Sequence, residues 1–489
     1  METNLLHGLV KVESNSLPQP PSRVASRTHP AAPVHDEEIK LKRLNTTSVP
    51  SRPPTLSGDE VDPERGTPTS PSAEPTADAF QVLPSLMNPG KNKFRFVGCC
   101  LQVLLGGLLD SAAGALIPYM EKHYNIGYAV VSLIFVGNAL GFVAAAPLVD
   151  TVRSHLGRSK TLFLNMSIMV LGFVPFLFPA PFPVIVVAYF FLGLGFAGNL
   201  AIANVFTANL QNGTVLLGGM HGSYGIGGIV GPLVATSIVT RFGGEQWFRY
   251  YLIPLAVSIF TGFWFLWSFW GYEEEITAQE GPTTTATTSE TTHIEFRAML
   301  QAFKSRVVLL GATFIFAYQG AEVSISGWTI SYLITTRGGD PAAVGNVTSG
   351  FWGGITLGRF FLSPIGARVG EKRFVYGLTA GAAAFQLLVW FVPNIIGEAV
   401  SLAIVGLLLG PVYPCAMSVF TRSLSRGEQV SGLSVTSAFG SSGGAVAPFT
   451  TGLLAQAVGT FVLHPIAIGL FGAMIACWFA LPSPRKRAE

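Results

Sequence analysis

The sequence predicts an all-α membrane protein with twelve transmembrane helices in two pseudo-symmetric halves of six. From Phe94 onward, apolar runs of about 20 residues recur, which is the length that crosses about 30 Å of hydrocarbon. Charged residues make up only 12% of the chain and hydrophobic residues 49%, against about 25% charged residues in an average soluble domain. A polar stretch separates the apolar runs into two sets of six. This composition excludes a soluble enzyme.

The apolar runs fix the expected organisation of the chain. We predict a disordered cytosolic tail at 1–90, a first six-helix bundle at 91–270, a cytosolic linker at 271–304, a second bundle at 305–482 and a basic tail at 483–489. The expected spans are 94–119, 126–148, 161–179, 182–207, 214–240, 248–270, 307–333, 344–365, 374–393, 396–420, 430–456 and 461–481.

The first 90 residues differ from the rest because they are rich in Pro, Ser, Thr and charge and show no apolar periodicity. Such a segment has no core to offset the entropy of ordering, so disorder is expected. It also lacks the basic-then-apolar pattern of a cleaved signal peptide.

Lys and Arg predict the orientation in the membrane. With the amino terminus in the cytosol, 17 Lys and Arg residues fall at cytosolic ends and loops. Four fall on the opposite side, namely Lys122, Arg241, Arg249 and Arg337. Both termini are therefore expected in the cytosol. The plasma membrane is the expected location, with the vacuolar or peroxisomal membrane as the alternative.

The remaining composition excludes several classes of function. The net charge of +3 is small, so a nucleic-acid partner gains no support. The four cysteines lie inside apolar runs and are typical of small buried side chains. The sequence has no Gly-x4-Gly-Lys-Ser/Thr loop and no His-Glu-x-x-His motif. We therefore expect no ATPase activity, no catalytic residues, no metal and no cofactor.

An internal repeat supports the two halves. Gly137-x3-Gly141-x5-Pro147 recurs as Gly354-x3-Gly358-x5-Pro364, at an offset of 217 residues. A second pair, Gly227-Gly228-x-x-Gly231-Pro232 and Gly443-Gly444-x-x-Ala447-Pro448, has an offset of 216. A third, Ser111-x-x-Gly114-x4-Tyr119 and Ser324-x-x-Gly327-x4-Tyr332, has an offset of 213. Paired halves around a central site are a known transporter architecture.

The second repeat predicts close helix packing next to a bend. Small residues let two helices meet at backbone distance, and Pro removes a backbone hydrogen bond and kinks the helix. A bent, closely packed pair serves either as a gate or as packing alone. The gating or packing candidates are Gly228, Gly231, Pro232, Gly444, Ala447 and Pro448.

Four segments give the chain a resemblance to the major facilitator superfamily over residues 94–481. They are Leu109 to Tyr119, His221 to Gly227, Tyr318 to Trp328, and Gly353 to Arg359. Within that superfamily the chain looks most like fungal-type members of the fucose–proton symporter branch. The resemblance implies a carrier of small solutes in which two bundles rock around a central site.

The resemblance also implies a cytosolic charge latch between helices. The loop after the second span keeps Asp150 and Gly157-Arg158-Ser159-Lys160, with a stretched spacing and no base after the Asp. The matching loop of the second half has Gly370-Glu371-Lys372-Arg373. The expected latch residues are Asp150, Arg158, Lys160, Arg359, Lys372 and Arg373.

Two carboxylates near the middle of spans are the main candidates for coupling. Charges at that depth are costly and usually functional. Asp110 and Glu322 each precede the repeated Ser-x-x-Gly-x4-Tyr by one or two residues, so both are expected at a shared central cavity. Burial in a low dielectric favours the neutral form of a carboxyl group, and we expect one of them to carry a proton. The alternative is that neighbouring hydrogen bonds hold these carboxylates and that they serve helix packing only.

Other polar side chains within spans are candidates for binding the solute. They are Asn138, Asn199, His221, Tyr224, Gln319, Trp328 and Tyr413. For Asn138 and Asn199, interhelical hydrogen bonding is the alternative. His221 titrates near neutral pH when unperturbed, but a structural role is equally open. Trp328 either stacks on a sugar ring or an apolar solute, or faces lipid.

The expected function is secondary active transport of a small organic solute, with protons and the lipid bilayer as further partners and a monomer as the working unit. Sugar uptake and metabolite efflux both remain open. The alternative is a transporter-like receptor or scaffold without flux.

Overall fold

Described residues in the computed structural model are 84–178, 180–275, 304–424 and 426–482. The predicted tails at 1–83 and 483–489, and most of the predicted linker, lie outside them. Within the described ranges the secondary structure is helical, as expected.

Among the described residues, ten helices are long and apolar enough to cross a membrane. We number them with two further helices in chain order, as follows: α1 Asn92–Tyr124, α2 Tyr128–Val149, α3 Thr151–Leu177, α4 Phe182–Ala208, α5 Val215–Phe242, α6 Gly244–Glu275, α7 Arg306–Thr335, α9 Glu371–Phe391, α10 Ile395–Ser423 and α12 Thr460–Ala480. The two further helices are α8, at 347–369, and α11, Arg426–Val458. Together they confirm the predicted all-α fold with two halves of six helices.

Helix α8 is interrupted and α11 is polar. A π-helical turn at Gly358–Leu362 divides α8 between Val347–Leu357 and Ser363–Val369. Helix α11 is rich in Ser, Thr and Gly but runs for 33 residues, or about 50 Å at 1.5 Å per residue. Both helices therefore have spanning length despite their composition.

Two faces of the bundle are used as references below. The termini face holds the start of α1 and the end of α12: Lys91 donates to the carbonyl oxygen of Trp270, and Arg306 donates to that of Ala480. The distal face holds the opposite helix ends, including Tyr124 and Thr460.

The glycine repeats pack each half in the same way. A side chain added at Gly137 or Gly141 would collide with the carbonyl oxygen of Val186 or Phe190 on α4. At Gly354 and Gly358 it would collide with the carbonyl oxygens of Ala403 and Leu407 on α10. From 186 to 403 and from 190 to 407 the step is 217 residues, the offset of the glycines themselves. The same repeat therefore relates both the glycines and the carbonyl oxygens that they contact.

The second repeat joins α5 to α1 and α11 to α7. Gly227 lies against the carbonyl oxygen of Leu104, and Gly231 lies against the hydroxyl of Ser111. In the other half, Gly443 lies against the carbonyl oxygen of Phe316, and Ala447 contacts Gly320. Of the remaining candidates, Gly228 faces Trp352 of α8 and Gly444 faces Val323. Pro232 and Pro448 lie inside their helices.

Charged groups tie the helix ends together at the termini face. Arg95 is fully buried and pairs with Glu275 at 2.7 Å, and Arg422 pairs with Glu371 at 2.8 Å. The backbone of Arg158 donates to Glu273, which anchors the first turns of α3 to the end of α6. The last five described residues of α6, 271–275, belong to the segment predicted as linker.

The predicted latch residues take several positions on this face. Lys372 donates to the carbonyl oxygen of Leu481, whereas Lys160 and Arg373 are exposed. The side chain of Asp150 lies outside what the structure describes. Arg359 does not reach this face, and the prediction that placed it in the latch is wrong, because its guanidinium pairs with Glu322 inside the bundle.

We predict that Gly141→Ala and Gly358→Ala each destabilise the protein by about 1–3 kcal/mol, since the new methyl group forces neighbouring backbone apart. The two losses should be similar because the two contacts are related by the repeat. The measurement is the melting temperature of the detergent-solubilised protein.

Gly377→Ala and Gly472→Ala are matched controls, since a side chain at either position meets nothing within 4 Å. In a helix this exchange alone is favourable by about 1 kcal/mol, so the controls should melt at or above the wild-type temperature. Equal melting temperatures for all four variants would contradict the packing described.

Candidate functional site

The candidate site lies where α1 and α5 of the first half meet α7 and α8 of the second. Asp110 on α1 accepts a hydrogen bond of 2.8 Å from the hydroxyl of Tyr224 on α5. Glu322 on α7 lies 3.4 Å from a guanidinium nitrogen of Arg359 on α8. Each half therefore contributes one carboxylate with one partner.

The two carboxylates belong to one electrostatic group. The carboxyl group of Glu322 interacts electrostatically with Arg359, Tyr318 and Asp110. The phenol of Tyr224 interacts electrostatically with Asp110, Glu322 and Arg359. Asp110 and Glu322 therefore interact across the contact between the halves, and a cavity shared by the two stays a prediction.

Local sequence explains why these side chains meet. Tyr224 and Gly228 are one helical turn apart on α5, and Gly228 lets the ring of Trp352 approach the backbone. The rings of Tyr224 and Trp352 then lie edge to face, with centroids 5.6 Å apart. Thr356, one turn further along α8, contacts Gly225. Tyr224 is held between the halves by this contact.

The π-helical turn positions Arg359. Turns of this kind are rare and are found frequently at functional sites. Arg359 is the second residue of the turn, and its side chain keeps 28% of its surface exposed while that of Glu322 keeps 4%. The guanidinium group therefore reaches from the accessible space between the halves to a buried carboxylate.

A small pocket adjoins Asp110 within the first half. It lies between α1, α2 and α4 and is lined by Gly106, Leu109, Asp110, Asn138, Phe142, Tyr189, Leu192 and Phe196. The hydroxyl of Tyr189 lies 2.7 Å from that of Tyr251. Asn138 and Asp110 line the same pocket, and a role for Asn138 in binding the solute stays a prediction. The walls are otherwise apolar and aromatic.

Three further candidates lie near the site. Gln319 is half-buried one turn before Glu322 on the same face of α7. The ring of Tyr413 lies 5.9 Å from that of Tyr318. His221 is exposed and lies 3.1 Å from the side-chain oxygen of Asn204. It is on the termini side of Tyr224 along α5.

Two candidates lie elsewhere. Asn199 is fully buried and bonds to Asn165 and to the carbonyl oxygen of Leu162, so the cavity prediction is wrong and the alternative of interhelical hydrogen bonding holds. Trp328 is also buried and donates to the carbonyl oxygen of Pro448. It neither faces lipid nor lies open to a solute.

Trp328 instead marks the contact between the halves towards the distal face. Its ring lies 5.7 Å from that of Tyr128 and 6.5 Å from that of Phe135, both on α2. Gly452 packs against Trp328 and Ser132. We call the contacts of α1 and α2 with α7 and α11 in this region the distal closure.

Sequence reasoning missed Tyr189 and Tyr318. Both are tyrosines inside apolar runs, where a phenol is one of few polar groups, and that was the available signal. Tyr189 on α4 lies beside Asp110 on α1 through a contact between helices far apart in sequence. Tyr318 lies one helical turn before Glu322 on α7, so the spacing of four residues would have placed it on the same face.

Comparisons with known proteins agree with this architecture. The family model described as Major Facilitator Superfamily matches residues 99–338 and 320–489. Bypass of stop codon protein 6 of Saccharomyces cerevisiae is 27% identical over 391 residues, which cover 75% of this chain and 78% of the yeast protein. A glucose/galactose transporter of Brucella abortus is 30% identical over 168 residues, which cover 32% of this chain and 38% of that protein.

Two solved structures share the fold. A mutant of the nucleoside transporter NupG has a TM-score of 0.62 at 15% identity, covering 79% of this chain and 98% of its own. A D-xylose-proton symporter has a TM-score of 0.61 at 12% identity, covering 80% and 98%.

We predict that Glu322→Gln and Arg359→Gln each lower the melting temperature, whereas the double variant recovers much of the loss. Removing one partner of a buried ion pair leaves a charge uncompensated and costs up to about 3–5 kcal/mol, and removing both does not. The partial exposure of Arg359 should reduce the cost. Thermal unfolding in detergent is the measurement.

The control is Lys304→Gln, which removes an exposed positive charge at the termini face and should leave the melting temperature unchanged. Additive losses in the double variant would argue against the pair.

Proposed function

We propose that this chain, which belongs to the Major Facilitator Superfamily, couples the movement of a proton on Asp110 to that of a small, neutral, hydroxylated solute. It is a multi-pass membrane transporter and not an enzyme. The proposal concerns the solute, the proton and the residues that bind them.

The observation that carries the proposal is the charge balance of the site. The site holds two carboxylates, Asp110 and Glu322, and one guanidinium group, that of Arg359, which pairs with Glu322. The ionised groups sum to −1. Glu322 has the cation as its direct partner, while among the described residues Asp110 accepts only the hydrogen bond of Tyr224. An unpaired charge in low dielectric is costly, so a proton on Asp110 is the simplest compensation.

Alternating access supplies the expected mechanism. The α1–α7 contact at Gly114 and Ser326, and the contacts of Gly452 with α2, lie between the site and the distal face. His221, on the opposite side of the site, is exposed. These positions fit a carrier that is closed distally and accessible from the termini face.

The solute class follows from the same charge count and from the relatives. With Asp110 protonated, the site has no net charge, which favours a neutral solute. The matched proteins include a glucose/galactose transporter and a D-xylose-proton symporter, and both names support a sugar-like solute. The resemblance to the fucose–proton symporter branch supports it further.

Export of a less polar metabolite is the second candidate. It is favoured by the pocket beside Asp110, where Leu109, Phe142, Leu192 and Phe196 leave few polar groups for a sugar. A monomer in the plasma membrane with both termini cytosolic fits either direction, and the vacuolar and peroxisomal membranes remain alternatives. Metabolite profiling inside and outside cells lacking the protein would separate uptake from export.

We predict that proteoliposomes with an imposed proton gradient accumulate at least one solute from a radiolabelled panel of D-glucose, D-galactose, D-xylose, L-fucose and uridine. Asp110→Asn should abolish gradient-driven accumulation and retain exchange of labelled for unlabelled solute, because the amide mimics the protonated acid. Glu322→Gln should still accumulate solute but require a more acidic medium, since unpaired Arg359 then favours ionised Asp110.

Asn199→Asp and Gln319→Glu are unsuitable as controls for this experiment, because each would add a negative charge inside the bundle. Lys304→Gln serves instead. If Asp110→Asn keeps full pH-driven accumulation, the proton is carried elsewhere. If no solute moves while the protein binds one, the receptor alternative replaces the carrier.

A further inference from the structure

A further carboxylate, Glu121 of the first half, lies within the distal closure. Glu121 is 11 residues after Asp110 on α1, which places the two on the same face of the helix and about 16 Å apart along its axis. Gly114 lies on this face between them and packs against the carbonyl oxygen of Ser326 on α7. The face that carries Glu121 is therefore the face that meets the second half.

The surroundings of Glu121 combine groups from both halves. Its carboxyl group interacts electrostatically with Tyr128, the first residue of α2. The hydroxyl of Tyr128 lies beside that of Thr335 on α7. The ring of Tyr128 contacts Trp328 edge to face. Next to Tyr128, Gly127 lies against the side chain of Gln456 on α11.

Glu121 has no ionic partner among the described residues. The residue is half-buried, and its Oε1 atom is fully buried and accepts no hydrogen bond there. The charged groups at this end of the bundle are paired with other residues or exposed. Arg337 pairs with Glu398 at 2.5 Å, and His123 lies 3.3 Å from Glu245. Lys122 is exposed. Asp340 is also exposed, and it interacts electrostatically with Tyr119.

We propose that Glu121 is a proton-sensitive lock of the distal closure, neutral while the closure buries it and ionised once opening hydrates it. Burying an isolated carboxylate costs far more free energy than burying the neutral acid. The closed form therefore holds one more proton than the open form. By linkage, raising the pH favours opening, by at most about tenfold in the closed-to-open ratio per pH unit.

Ser132 provides a reporter for the closure. It is fully buried and touches the position of Gly452 across the interface, so opening should expose it. We would introduce Ser132→Cys into a background with Cys99, Cys100, Cys415 and Cys477 replaced by alanine, in lipid nanodiscs without solute. The measurement is the rate of labelling by a hydrophilic maleimide across the pH range from about 6 to about 8.

The reference for the chemistry of the reagent is Arg241→Cys, at an exposed position near the distal end of α5. Relative to this reference, labelling of Ser132→Cys should rise with pH, by up to about tenfold per unit. Adding Glu121→Gln should make the relative rate low and independent of pH. Glu121→Asp should restore the dependence with a shifted midpoint.

A pH dependence that persists unchanged in Glu121→Gln would overturn the proposal, and so would a flat relative rate with Glu121 present. If Glu121→Gln does not fold, the comparison of Glu121→Asp with the unchanged residue decides, because an unshifted midpoint excludes Glu121. The assay contains no solute and leaves Asp110 intact, so its outcome is independent of the transport experiment above.

Discussion

The centre of this bundle holds two carboxylates and one guanidinium group, which pairs with only one of them, and the low dielectric of the membrane makes that imbalance consequential. In water such a charge would be solvated at little cost. Between packed helices it needs a counter-charge, a hydrogen bond or a proton. Arg359 provides the counter-charge for Glu322, and Tyr224 provides a hydrogen bond to Asp110. The proton proposed above would neutralise Asp110.

The glycine contacts make this arrangement possible. Because Gly137 and Gly141 let α2 touch α4, and Gly354 and Gly358 let α8 touch α10, each half is a tightly packed unit. The second repeat fixes α5 on α1 and α11 on α7 in the same manner. Two rigid units joined by a limited set of contacts are the kind of assembly in which side chains at the interface, such as Tyr224 and Trp352, sense relative movement.

Much of the fold was predictable from the sequence because the bilayer imposes simple rules. Length and apolarity locate the spans, and the fixed offset near 217 reveals the duplication. The depth of Asp110 and Glu322 is readable from their positions within spans. Their partners are not, because Arg359 lies near the end of a predicted span and was assigned to the surface. Only the helix contacts place it against Glu322.

Asn199 and Trp328 show the same limit. A polar or aromatic residue within a span has several possible neighbours, and the sequence does not say which side of the helix faces the other half. Asn199 faces Asn165 of its own half, while Trp328 faces Tyr128 across the closure. Rotation of a helix about its axis decides between binding and packing, and that rotation is set by tertiary contacts.

The uneven charges also determine how a voltage across the membrane would act on the carrier. On the proton scheme proposed above, the protonated site is electrically neutral, whereas the empty, deprotonated site carries one negative charge. A full crossing of that charge is worth about 2.3 kcal/mol per 100 mV. An electric field would therefore act on the return of the unloaded carrier and leave the loaded step nearly untouched, so membrane potential would set the speed of recycling more than the tightness of solute binding.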